Sequence, residues 1–268
     1  MNNTEELKIY CVTNKKIEFL ENSKYILAGV GKDVFPSSYL KPTSKENINF
    51  KETYYSELTF HYWFWKNILP TIDNEWIGFC QKRRFWIKES SINEEINKDN
   101  IVSHMIIDVE KNWKDYESII TEPIDLTNVK ISKLLKRGFK NIIFKPSILF
   151  NKSQRNIKLH FDMHHGYGVL DKAISFLKED DQVDFKKFIN ENTNFNPHIM
   201  FISKKKIIDK WFSDLFDWLF KCEKEFGFQN LKDYETGRLY AYLAERYLSF
   251  WFKKYTKYKV HPWRFINV

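Results

Sequence analysis

Several things are scarce in this sequence, and each scarcity removes a class of protein. Its 268 residues include only three cysteines, Cys11, Cys80 and Cys222, widely spaced and forming no C-x-x-C pair. An odd, scattered set gives no disulfide framework, so buried thiols in a reducing compartment are the expectation. No apolar run approaches the roughly 18 residues of a membrane span. The start, Met1-Asn2-Asn3-Thr4-Glu5-Glu6, has neither the basic nor the apolar region of a secretory signal, and a cytoplasmic protein is expected. Arginine is rare as well: the 43 basic residues include only Arg83, Arg84, Arg137, Arg155, Arg238, Arg246 and Arg264. Two arginines side by side therefore carry more information than any lysine cluster.

Aromatic residues, in contrast, are plentiful at 18%, with 24 Phe, 14 Tyr and 9 Trp, enough for a packed core and a lined cleft. The formal net charge is +8. Lys, Asn, Ile, Phe and Tyr are abundant together, the pattern of an AT-rich genome, so part of this basicity is compositional drift. The remainder fits an anionic partner: a nucleotide diphosphate, a lipid-phosphate surface or nucleic acid.

Leu7–Thr13 predicts a buried first strand, Tyr25–Val30 a second closed by Gly31, and Trp76–Cys80 a third. An aromatic helix is predicted over Tyr54–Ile68, an exposed polar loop over residues 87–100, and a further strand at Asn141–Phe144. Helical spacing of Ile208, Trp211, Leu215, Trp218 and Cys222, and of Leu239, Tyr242, Leu243 and Phe250, predicts a helical second half broken at Gly227. Early strands with intervening helices favour an α/β sheet whose ligand lies at the strands' carboxyl ends. One domain with a helical elaboration fits the length.

Ile77-Gly78-Phe79-Cys80-Gln81-Lys82-Arg83-Arg84 delivers three cations to the carboxyl end of a strand. Guanidinium groups match phosphate oxygens in fork geometry and stay charged at physiological pH. The same cluster also reads as a solvated turn. Ser56 and Glu57, at the start of the aromatic helix, suit a positive helix terminus.

Taken together, Tyr55-Ser56-Glu57-Leu58-Thr59, Tyr62-Trp63-Phe64-Trp65-Lys66-Asn67 and Ile77–Phe85 resemble a family from capsule and O-antigen gene clusters. That family was long catalogued as a domain of unknown function, and some members are regarded as galactofuranosyltransferases. The likeness continues through Ile9–Lys15, His165 followed by Asp171, Asn196–Ile202, and Leu243-Ala244-Glu245-Arg246, covering about residues 7–252. The family usually has His-Tyr-Arg-Arg where this chain has Gln81-Lys82-Arg83-Arg84, so only the arginine pair carries over. The arrangement also looks like a GT-A fold, yet the stretch that usually bears an Asp-x-Asp metal motif has no carboxylate.

The resemblance implies a GT-A-like α/β fold, with residues 1–150 mainly nucleotide-binding and 151–268 mainly helical. It implies transfer of a sugar from a UDP-linked donor, a furanose among the candidates, to a growing capsular or O-antigen chain. Thr13, Asn14, Lys15, Ser56, Glu57, Lys82, Arg83 and Arg84 are the expected donor-site residues. Asn196, His198 and Arg246 are expected to meet donor or acceptor sugar. Glu245, Asp171 and His165 are the candidate acids and bases, because an inverting transfer needs a group to take the acceptor's proton. Each also has a plainer reading: Glu245 as an ion pair with a nearby arginine, Asp171 as a helix cap. No cofactor and no metal are expected, although Asp180-Asp181 and Asp162-Met163-His164-His165 offer possible ligands. A lipid-linked or oligosaccharide acceptor and peripheral contact with the inner membrane complete the expectation. The alternatives are transfer of another capsule decoration on the same fold, or a basic nucleic-acid-binding protein, which no recognised motif supports.

Overall fold

The apolar run Leu7–Thr13 forms β1, and a computed structural model describing residues 6–267 shows why it must be buried: it pairs on both sides. Its neighbours are β2 (Ile26–Gly29) and β3 (Trp76–Gln81), both parallel, with Cys11 opposite Cys80. Met1 to Glu5, within the start read above as lacking a secretory signal, lie outside the described residues. From β3 the sheet continues antiparallel to β8 (Phe201–Lys204), then to β5 (Ser118–Thr121), which pairs parallel with β9 (Tyr258–His261). At the carboxyl end of β3 the chain folds back into β4 (Arg84–Trp86), which pairs with β10 (Trp263–Phe265). Gly78 lies where β1, β3 and β8 meet; a Cβ there would come within 2.8 Å of Ile202.

The chain forms two compact units. Unit 1 comprises the chain to Glu122, His198–Asp214 and the residues from Trp251 on, and it holds the eight-stranded mixed sheet. One face of that sheet packs an aromatic core that includes Trp76, Trp86 and Trp113. Helix Leu58–Asn67 supplies Phe60, His61 and Phe64 to a second aromatic group with Tyr10 and Phe79. Such ring pairs each add about 0.5–1.5 kcal/mol beyond their buried area.

Unit 2 comprises Pro123–Pro197 and Leu215–Phe250. It is mainly helical, with a two-stranded ribbon of β6 (Ile124–Asp125) and β7 (Asn194–Phe195). The two units interleave along the chain. Helices Lys205–Phe226 and Leu239–Tyr255 realise the predicted helical spacing, and Gly227 follows the first at φ +57°. No helix among the described residues is long and apolar enough to cross a membrane.

Two predicted elements are corrected. Asn141–Phe144 is not a strand; it belongs to helix Phe139–Phe144, with Ile143 58% and Phe144 77% exposed. The β-branched pair suggested a buried strand, but only Ile142 packs against the interior while Ile143 faces solvent. The predicted helix Tyr54–Ile68 is interrupted at Ser56, whose φ of 50° lies outside the helical region. A short turn of helix, Glu52–Tyr55, precedes it, and the main helix starts at Leu58.

Candidate functional site

In unit 1, β3 and β4 are joined by a two-residue turn, because Gln81 pairs directly with Arg84. Lys82 and Arg83 form that turn, with Arg83 at φ 75°, a conformation a non-glycine residue adopts at a cost of roughly 1–3 kcal/mol. Strand β10 fixes the arginines. The Arg83 guanidinium lies 4.6 Å from the Phe265 ring centre and donates to Asn267 Oδ1 at 3.0 Å, while the Ile266 amide donates to the Arg83 carbonyl. Arg84 Nε donates to His198 Nε2 at 2.7 Å, and the His198 ring meets Trp263 edge-on at 5.2 Å. His198 thus joins the arginine pair.

Thr13, Asn14 and Lys15 end the neighbouring strand, and the Lys82 amide bonds to the carbonyl of Val12. The pKa of Lys82 is lowered by partial burial and then by repulsion from Lys15 and Arg83, against a smaller opposing pull from Asp33. Among the described residues no carboxylate forms an ion pair with Lys15, Lys82 or Arg83. Mutually repelling cations at the carboxyl ends of parallel strands form a site that an anion relieves. Ser56 and Glu57 also belong to unit 1: Ser56 is buried and its carbonyl accepts from Thr59, and Glu57 immediately precedes helix Leu58–Asn67 without a side-chain capping bond.

In unit 2 the group centres on Arg246, which is 2% exposed. It is ion-paired with Glu245, donates to His160 Nδ1 at 3.0 Å and His165 Nε2 at 3.3 Å, and lies over the Phe195 ring. His165 Nδ1 bonds to the Glu235 carbonyl, which can only accept, so Nε2 is the acceptor for Arg246. Its ring stacks on Tyr242 at 3.8 Å. Burial, followed by the arginine's charge, pulls the pKa of His160 down to about 2 and that of His165 to about 3. Both are neutral at pH 7. His165 ends helix Ile157–His165.

Asp171 does not join this group. Lys158 takes its carboxylate and also bonds Asp162 Oδ2, while Asp171 lies in the first turn of helix Val169–Ile174. Asn196 is fully buried, its backbone amide and carbonyl bonded to the Ser249 hydroxyl. Beside the arginine group a cavity of about 420 Å³ is lined by Asn128, Lys130, Lys133, Arg155, His160 and His164, among others. Arg155 is buried there and donates to the carbonyls of Thr127, Leu149 and neighbouring residues.

The family model that matches is a domain of unknown function (DUF4422), and it covers residues 8–257. The chain belongs to the DUF4422 family. Among solved structures, this DUF4422 chain is similar to WbbM, a bifunctional glycosyltransferase in its apo form. Identity is 19% and the TM-score 0.73, over 98% of this chain and 45% of WbbM. The fold is thus the one found in part of WbbM, and the chain spans less than half of that protein's length. A second similar structure is core-mannan synthase A (CmsA) from Aspergillus fumigatus in its Mn/GDP form, at 13% identity and TM-score 0.36, over 97% of this chain and 73% of that one. No curated protein matches the sequence.

In the DUF4422 chain one group of three potential metal donors comes together among the described residues: Glu89, Glu110 and His261, all within 4.8 Å of one another. Lys259 at 2.7 Å and the Asn112 amide at 2.7 Å already bond Glu89. Asp180-Asp181 and the Asp162–His165 stretch form no such group. Sequence reasoning missed His160, whose signal was its spacing of four from His164. It also missed Phe265 and Asn267, for which the sequence carries no signal, because they reach Arg83 only through the β4–β10 pairing.

Proposed function

We propose that this chain is a glycosyltransferase that binds the diphosphate of a UDP-linked sugar on Lys82, Arg83 and Arg84 and extends a capsular or O-antigen polysaccharide. The observation that carries this reading is the cation group of unit 1, held by β10 and by His198 and without carboxylate ion pairs at Lys15, Lys82 and Arg83. As the sugar bond breaks, the leaving diphosphate gains charge, and fixed guanidinium groups stabilise that charge more than they stabilise the ground state. Arginine performs here what a divalent metal performs elsewhere, and activity is expected to persist in excess EDTA. Thr13, Asn14 and Lys15, with Ser56 and Glu57, complete the donor side.

The unit 2 cavity, lined by lysine, arginine and histidine, is the proposed place of the acceptor. Glu245, ion-paired with Arg246, is the proposed base. Its side chain keeps 15% of its surface exposed while its partner is sealed in, so a hydroxyl can still reach the carboxylate. A furanose as the transferred sugar and a lipid-linked acceptor follow from the family resemblance.

Calorimetric titration of UDP into the parent and into Arg84→Ala is the direct test, with generic DNA and RNA as comparison ligands. The parent is expected to bind UDP and to ignore nucleic acid. The variant should lose about 1.5–3 kcal/mol of affinity, the range for a hydrogen bond to a charged group, with its melting temperature little changed. Equal UDP affinity in the two proteins would reduce the cation group to a surface turn.

A further inference from the structure

Unit 2 carries a surface that lies mostly outside the proposed acceptor cavity. From Leu126 to Asn156 the sequence contains no aspartate or glutamate, but it holds Lys130, Lys133, Lys136, Arg137, Lys140, Lys145, Lys152 and Arg155. All of these except Arg155 are exposed. Interleaved with them stand large apolar side chains that face solvent: Ile131 at 55%, Leu135 at 49%, Phe139 at 61%, Ile143 at 58%, Phe144 at 77% and Phe150 at 87%. Single exposed apolar residues are ordinary on a protein surface, but six within twenty residues are not.

The local fold explains why they stay outside. Helices Ile131–Arg137 and Phe139–Phe144 dock through another set of side chains: Leu134 and Ile148 are buried with Leu159 and Met163, and Ile142 packs against them. Gly138 lets the turn between the two helices close down, since a Cβ there would lie 2.9 Å from the Leu134 carbonyl and 3.4 Å from Met163. The segment is therefore anchored by one stripe, with 131, 135, 139 and 143 recurring every four residues on another. Lys130, Lys133, Lys136, Lys140 and Lys145 form no ion pair among the described residues. Phe144 stacks on Tyr167, which has Lys140 and Lys158 near its face, extending the patch.

We infer that residues 130–152 form a docking face for an anionic phospholipid surface, with Phe139, Phe144 and Phe150 entering the headgroup layer and the lysines meeting lipid phosphates. Interfacial binding of this kind needs an apolar face beside a cationic one, and its strength grows with both. A protein partner would have to supply acidic and apolar surface together, whereas an anionic bilayer presents both everywhere. Lys130 and Lys133 belong to this face and also line the 420 Å³ cavity. Docking would bring that cavity to the membrane surface, where a lipid-linked acceptor is found. This last consequence rests on the proposed function; the lipid contact itself does not.

Co-flotation with vesicles tests the inference. Vesicles of phosphatidylglycerol and phosphatidylethanolamine are compared with pure phosphatidylcholine, at low salt and at 0.5 M NaCl, where the Debye length falls to about 4 Å. The parent should bind the anionic vesicles, bind phosphatidylcholine far less, and be released by salt. A triple variant, Lys136→Glu with Lys140→Glu and Lys145→Glu, should weaken binding by about a hundredfold or more, at a contribution of about fivefold per lysine. Phe139→Ser with Phe144→Ser and Phe150→Ser should also abolish flotation. Because all six side chains are exposed, circular dichroism should show the parent's melting temperature in both variants. Absence of binding to anionic vesicles, or equal binding by parent and both variants, overturns the inference. So does a concentration-dependent dimer in sedimentation that the phenylalanine variant abolishes, since the face would then cover a second copy. UDP titration of the same variants keeps the two proposals apart, because neither set of residues belongs to the cation group of unit 1.

Discussion

Two arginine centres lie in the two units, and they are built in opposite ways. Arg83 and Arg84 sit on a tight turn in unit 1, held by a ring face, an amide and a histidine, beside lysines that repel them. Arg246 in unit 2 is sealed from solvent with a carboxylate beside it and two neutral histidines accepting from it. A buried charge without partners would be prohibitively costly, so Arg246 had to be satisfied from within the protein. The turn cations are only half-buried, which leaves them open to an external anion. Full burial beside a carboxylate thus marks Arg246 as a group that organises the fold, whereas the half-buried turn arginines are the proposed binders.

The sharpest way to break this comparison is to remove Arg246. Arg246→Met leaves Glu245 facing a partly buried site and leaves His160 and His165 without their donor. A loss of about 3–5 kcal/mol in folding free energy is expected, the range for a broken buried pair, read from urea unfolding. A loss below about 1 kcal/mol, the range for a surface ion pair, would place Arg246 with the turn arginines.

A smaller effect should appear with pH. His160 and His165 have folded pKa values held down to about 2 and about 3, against about 6.5 in the unfolded chain. Between those limits the unfolded state binds more protons, so stability is full above pH 6.5 and declines as the pH falls toward 3. Each histidine contributes a slope of up to about 1.4 kcal/mol per pH unit. Melting curves from pH 7.5 to 5 should show the decline, and His165→Asn should reduce its slope. A flat profile would mean that these histidines are charged or solvated, contrary to their burial beside Arg246.

The smallest effect concerns the turn. Arg83→Gly removes the positive-φ strain, and glycine costs about 0.5–1 kcal/mol in unfolded-state entropy. The strain relief of roughly 1–3 kcal/mol is the larger, so the melting temperature should stay the same or rise slightly while UDP affinity falls. A clear loss of stability would show that Arg83 supports the fold through Phe265 and Asn267, making the two centres more alike than they look.

Much of the fold was legible because burial writes itself into runs and periods. Leu7–Thr13 and the core of β3 were readable as unbroken apolar stretches, and helices Lys205–Phe226 and Leu239–Tyr255 as stripes. Strands β9 and β10 were not, since Tyr258-Lys259-Val260-His261 alternates charged and apolar residues at a sheet edge, and its partner β5 lies more than a hundred residues earlier. Asn141–Phe144 misled for the opposite reason, an apolar run that stays exposed. For the site, the arginine pair stood out through rarity, and Arg246 through its likeness to a family motif. The link from Arg84 to His198 and the alignment of His160 with Arg246 depend on tertiary packing, which no local pattern encodes.

The pairing of β4 with β10 also sets an order in time. The arginine turn leaves the ribosome early, but Phe265 and Asn267, which aim Arg83, are made about 180 residues later. At typical translation rates that is on the order of ten to forty seconds. During that interval β4 has no partner on its outer edge, and β5 still awaits β9. Nascent chains interrupted before β10 would carry the cations without their clamp. If the turn binds the donor as proposed, that binding should be confined to chains whose synthesis has passed Asn267.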